Sequence, residues 1–132
     1  MRRYTFATLI MLFFAIHSLA QSNINSEAVE VPTYKLYPTE NMWNFLKLDT
    51  RTGRIWQVQF SVDGDKSRFE VVLNDRDLIW DGKYFINGRF ELYPTKNMYN
   101  FILLDRITGD TYQVQWSLKE KNRAVFAIPL SY

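Results

Sequence analysis

The stretch YPTENMWNFLKLDTRTGRIWQVQFS at residues 37–61 returns 56 positions later, without a gap, as YPTKNMYNFILLDRITGDTYQVQWS at residues 93–117. Fifteen of the twenty-five positions are identical, so the fold carries an internal repeat. In the first copy, residues 43–49 are mostly aromatic and aliphatic, and residues 54–62 alternate Trp56, Val58, Phe60 and Val62 with Gln57, Gln59 and Ser61. Period two marks a strand with two unlike faces. Between the segments lies Asp49-Thr50-Arg51-Thr52-Gly53. An Asp there accepts bonds from backbone amides just beyond it, and a Gly takes up a positive φ. The second copy keeps Asp105, Thr108 and Gly109 while changing the other two turn residues. Asp49, Thr52, Gly53, Asp105, Thr108 and Gly109 are therefore read as turn formers.

Flanking segments extend each hairpin to about four strands. Residues 34–37 and 89–93 run into Pro38 and Pro94, which cannot donate to a ladder and mark strand ends. Residues 68–73 and 123–128 follow the hairpins. Asp81-Gly82 and Asn87-Gly88 each predict a further hairpin, the latter between KYFI and RFEL. The fold class is all-β, with two tandem antiparallel units, residues 34–73 and 89–130, joined by 74–88 in one domain over 34–132.

If Asp49 opposes Arg54, then Trp43 faces Phe60, Phe45 faces Val58 and Lys47 faces Trp56. One side of the sheet becomes almost wholly aromatic, as Tyr99, Phe101, Leu103, Tyr112, Val114 and Trp116 make it in the second copy. The other side carries Asn44, Leu46, Leu48, Gln57 and Gln59. Packing the two copies on each other with pseudo-twofold symmetry, as a small sandwich or barrel, is the simplest way to cover their apolar faces.

The first twenty residues read separately. Arg2 and Arg3 precede an apolar run over 6–16, and Ser18-Leu19-Ala20 supplies small residues at a cleavage site. This predicts a signal peptide over 1–20, a polar leader over 21–33, and a periplasmic or extracellular product with no membrane span after cleavage. Residues 21–132 hold fourteen Lys and Arg against fourteen Asp and Glu, so the product is neutral and lacks the net basic charge expected of a nucleic-acid binder. The only histidine is His17, and there is no cysteine. Disulfides and a lipid-bearing cysteine are thereby excluded.

The pattern Leu48-Asp49-x-x-Thr52-Gly53-x-x-Trp56 resembles the strand-turn-strand of quinoprotein-type β-propeller blades, in which an Asp-x-x-Thr-Gly turn precedes a docking tryptophan. Here the tryptophan stands one residue nearer the glycine, and Tyr112 replaces it in the second copy. Two units are too few to close a propeller within one chain. The longer repeat is similar to small exported proteins of the Bacteroidetes type. Neither resemblance supplies a catalytic residue or a cofactor.

Without Cys or His beyond residue 20, nucleophilic and most zinc chemistry is closed to residues 21–132. Asp63-Gly64-Asp65 is read as a polar turn and not a calcium loop, so no metal site is expected. Asn41-Met42 and Asn97-Met98 read as turn and core positions. The repeated polar set is more informative: Asn44, Gln57 and Gln59 return as Asn100, Gln113 and Gln115. Amides on alternate strand positions serve either as a lattice between strands or as a ligand site, since paired donors and acceptors beside aromatic rings suit sugar hydroxyls or a peptide strand. The leading expectation is an exported, non-catalytic binding or interaction module, for glycan or another envelope component. The alternatives are an assembly protein working through an aromatic face or sheet edge, with a homodimer among its states, and a small glycosidase using two carboxylates.

Overall fold

In the computed structural model, which describes residues 29–131, each repeat folds as one four-stranded antiparallel meander. The first sheet contains β1 (Tyr34–Pro38), β2 (Asn44–Asp49), β3 (Ile55–Gln59) and β4 (Phe69–Asn74), hydrogen-bonded in that order. The second contains β5 (Phe90–Pro94), β6 (Asn100–Asp105), β7 (Thr111–Gln115) and β8 (Ala124–Ile128). Short 3₁₀ turns at Asp65–Ser67 and Glu120–Asn122 lead into the last strand of each sheet. Pro38 and Pro94 end β1 and β5, where a missing N–H does least harm to the ladder.

The register is the one the repeated turn dictates. Phe45 pairs with Val58 and Lys47 with Trp56, while Phe101 pairs with Val114 and Leu103 with Tyr112. The pairing extends past the strand ends, because Phe60 N donates to the Trp43 carbonyl at 3.0 Å and Trp116 N to that of Tyr99 at 3.0 Å. A bulge between Ile55 and Trp56 inserts one extra residue into β4, which β8 lacks.

The two sheets stack as a small sandwich and do not close into a barrel. Their relation, however, is not twofold. In β2 (NFLKLD) the buried positions are Asn44, Leu46, Leu48 and Asp49, whereas in β6 (NFILLD) they are Phe101, Leu103 and Asp105. Nearly the same hexapeptide thus buries opposite faces in its two copies. The core joins Tyr37, Leu46, Leu48 and Ile55 from the amide-bearing face of the first sheet to Phe90, Leu92, Phe101, Leu103, Val114 and Trp116 from the aromatic face of the second. A twofold would have buried the same face in both sheets, so the repeats follow each other head to tail. The sequence explains the choice: Leu46, Leu48 and Ile55 become Ile102, Leu104 and Thr111, while Lys47 on the other face becomes Leu103. Head-to-tail stacking leaves Lys47 outside and brings Leu103 in. Each fully buried Leu, Ile or Phe contributes roughly 1.5–3 kcal/mol relative to exposure.

The connection over 75–89 departs from expectation. Asp81-Gly82 and Asn87-Gly88 form turns, but residues 79–86 pair with no strand among the described residues, so neither hairpin forms there. Ile79 is buried and closes one side of the core, while Trp80, Tyr84, Phe85 and Ile86 are exposed. The leader's last residues are fixed: Thr50 N donates to the Thr33 carbonyl at 2.8 Å, and Thr50 Oγ1 to that of Pro32 at 2.9 Å. The signal peptide over 1–20 and most of the leader lie outside the described residues.

Candidate functional site

The repeated amides sit on equivalent strand positions but in unlike surroundings. In the first sheet, Gln57 is 0% and Asn44 1% exposed, enclosed between the sheets. Gln57 Nε2 donates to Asn44 Oδ1 at 2.8 Å, and Asn44 Nδ2 donates to Asn41 Oδ1 at 3.2 Å. Gln59 is half-buried and donates to the Ser67 carbonyl at 3.0 Å. Asn44 and Gln57 therefore have no surface to offer a ligand and act as a bond between strands. In the second sheet Gln113 makes the same 2.8 Å bond to Asn100 Oδ1, and Gln115 donates to the Asn122 carbonyl at 2.7 Å, but all three amides keep partial access to solvent.

Asn100 and Gln115 border an open cleft of about 450 Å³ at one end of the second sheet, with Tyr99, Trp116, Lys119 and Asn122. Trp116 anchors the cleft from below, fully buried and donating Nε1–H to the Met98 carbonyl at 2.8 Å. The cleft rests on the loop that opens at Pro94, where Thr95 Oγ1 donates to the Asn100 carbonyl and Asn97 Oδ1 accepts from Tyr99 N. Thr39 and Asn41 form the same turn in the first sheet. Met42 and Met98 are exposed and are not core positions.

Both turn aspartates do structural work. Gly53 and Gly109 have φ of 78° and 82°, and their amides donate to the carbonyls of Asp49 and Asp105. Asp49 Oδ1 accepts from Arg51 N at 2.9 Å and its carboxylate pairs with the Arg51 guanidinium at 3.0 Å. Asp105 accepts from the amides of Ile107 and Thr108 and pairs at 2.7 Å with Arg89, both side chains being almost wholly buried. Burial pushes each carboxyl upward, but the arginine and backbone hydrogen bonds outweigh it and hold both below the ordinary carboxylate range. Arg89 opens the second unit but lies outside the matched stretch 93–117, and its position 56 residues earlier is Thr33, so the repeat did not single it out.

The aromatic side of the first sheet forms its outer face. Trp43, Phe60, Tyr34 and Leu36 are exposed there, with Phe45, Trp56 and Val58 half-buried beside them. Trp43 and Phe60 rings lie 5.2 Å apart and Tyr34 and Trp56 rings 6.3 Å apart. Lys47 lies in their midst, its Nζ 4.7 Å from the Trp56 ring and ion-paired with Glu70. The outer face of the second sheet carries Asn100, Ile102, Leu104 and Gln113 at its centre, with Tyr93, Phe126 and Ile128 exposed. Among the described residues no cluster of three or more His, Cys, Asp or Glu suits a metal. Comparison with protein-family models, with curated proteins and with solved structures gives no match to the chain.

Proposed function

We propose that this chain is an exported, non-catalytic interaction module of the cell envelope that works through the outer faces of its two stacked sheets. The observation that carries the reading is the aromatic face of the first sheet, which leaves Trp43, Phe60, Tyr34 and Leu36 exposed together. Exposed apolar residues grouped on one face and rimmed by polar ones mark interaction sites. The repeated carboxylates support a non-catalytic role, since Asp49 and Asp105 are held by arginines and turn amides. Replacing Trp43 and Phe60 with Ser is expected to weaken association, read by sedimentation velocity and by retention on isolated envelope material, with the fold intact by circular dichroism. Unchanged association by both readouts would refute the reading.

A second reading is favoured by the cleft at Asn100 and Gln115. Half-exposed amides beside the Tyr99 ring and Lys119 suit the hydroxyls of a glycan. Tyr99→Ala with Lys119→Ala is expected to abolish any glycan-array signal of the wild type while leaving outer-face association unchanged.

A further inference from the structure

Resting on the reading that the outer faces are the working surfaces, we propose that the occupant of the first sheet's aromatic face is the outer face of the second sheet of another copy. The contact would repeat between chains the head-to-tail packing already present within one. Inside the chain, the amide-bearing face of the first sheet covers the aromatic face of the second. The 56-residue repeat places the counterpart of each of these faces on the outside. Phe60 and Phe45 outside correspond to Trp116 and Phe101 inside, and Gln113 and Ile102 outside correspond to Gln57 and Leu46 inside. A chain thus carries, uncovered, both halves of the interface it has already formed once.

Polar features follow the same rule. Lys35 and Glu91 are repeat counterparts, and they form a 3.2 Å ion pair across the two sheets. Repeating the operation sets Glu91 of one copy against Lys35 of the next, again opposite in sign. The Gln113 to Asn100 bond is already formed on the outer face, as the Gln57 to Asn44 bond is in the core, so covering it leaves that donor paired. Lys47 and Glu70 break the match, standing where the buried face has Leu103 and Val125. Covering that ion pair costs desolvation, so the contact between copies is weaker than the one within a chain. A contact between two different faces cannot be satisfied by a closed twofold dimer; it propagates to a ring or an open stack.

The test uses two blocking variants and one matching variant of the exported protein. Phe60→Asp blocks one face and Phe126→Asp the other, both at exposed positions. Each alone is expected to be monomeric in sedimentation velocity, and an equimolar mixture to give a one-to-one dimer and nothing larger. Lys47→Leu with Glu70→Val is expected to tighten self-association about tenfold by removing the buried ion pair's cost. A mixture that stays monomeric, together with no gain in the matching variant, overturns the proposal; so does dimerisation of either blocked variant alone, which marks a twofold contact. Wild type that stays monomeric yet loses retention on envelope material when Trp43 and Phe60 are replaced sinks the second copy as occupant and keeps the broader reading. Loss of neither property sinks both.

Discussion

Equivalent residues carry unequal weight because the repeat is asymmetric in burial. Gly53 and Gly109 share a positive φ, yet a Cβ on Gly53 would lie 2.8 Å from Leu78 Cδ1 and 3.2 Å from Leu78 Cβ, whereas at Gly109 nothing lies within 4 Å. Gly109→Ala therefore meets backbone strain alone, about 1 kcal/mol, and Gly53→Ala is expected to cost measurably more. Equal shifts in urea midpoint would show that Leu78 does not press on the turn. The amides differ in the same way. Asn44→Ala strands the fully buried Gln57 amide and is expected to cost about 1–3 kcal/mol. Asn100→Ala leaves Gln113 with access to water and is expected to cost clearly less; a cost as large as that of Asn44→Ala would mean that Gln113 is also enclosed, as assembly between copies would make it. The residue types were legible in the sequence, but their burial was not, because a repeat fixes positions within a sheet and says nothing of which face meets the next one.

Within the elements, the strands and their register were open to reading, since Asp-x-x-Thr-Gly fixes the turn and the turn fixes every cross-strand pair after it. The linker was not, because Asn87-Gly88 has the chemistry of a hairpin turn, yet KYFI does not pair with the edge of β5 that faces away from β6: the first amide on that edge, Phe90 N, donates instead to the Thr50 carbonyl of the first turn. Arg89 shows what the linker does instead. It leaves the connection, donates to the Lys83 carbonyl at 2.8 Å and pairs with Asp105, tying the linker to the second turn. Because Asp105 and Asp49 both titrate below their ordinary value of 3.8 in the folded chain, their contribution to stability is complete above that value. It is lost as the pH falls below it and through the depressed folded values. Stability measured by denaturant should therefore drop in acid, and Asp105→Asn should flatten that drop. Arg89→Met leaves a buried carboxylate unpaired and is expected to cost about 3 kcal/mol at neutral pH, whereas Arg51→Met, at an exposed arginine, should cost less.

At the scale of the whole molecule, the two sheets share one core. The first sheet offers Leu46, Leu48 and Ile55 to the interface, and the second offers Phe90, Leu103 and Trp116; each set is fully or almost fully buried only because the other covers it. Hydrogen bonds also link the sheets: Phe90 N donates to the Thr50 carbonyl at 2.8 Å and Gly88 N to the Thr50 hydroxyl Oγ1 at 3.0 Å, joining the start of β5 to the first turn. Two sheets coupled in this way should unfold as one unit, with a single transition seen alike by circular dichroism and by tryptophan fluorescence. The stronger test perturbs one sheet and watches the other. Trp116 lies on β7's continuation in the second sheet and is wholly buried, so Trp116→Ala is expected to destabilise the chain by about 3–5 kcal/mol. If the sheets are one cooperative unit, amide exchange in β3 of the first sheet should accelerate by the same factor as in β7. Acceleration confined to the second sheet would mean that the first sheet holds its fold alone, and that its amide-bearing face does not depend on the aromatic face that covers it.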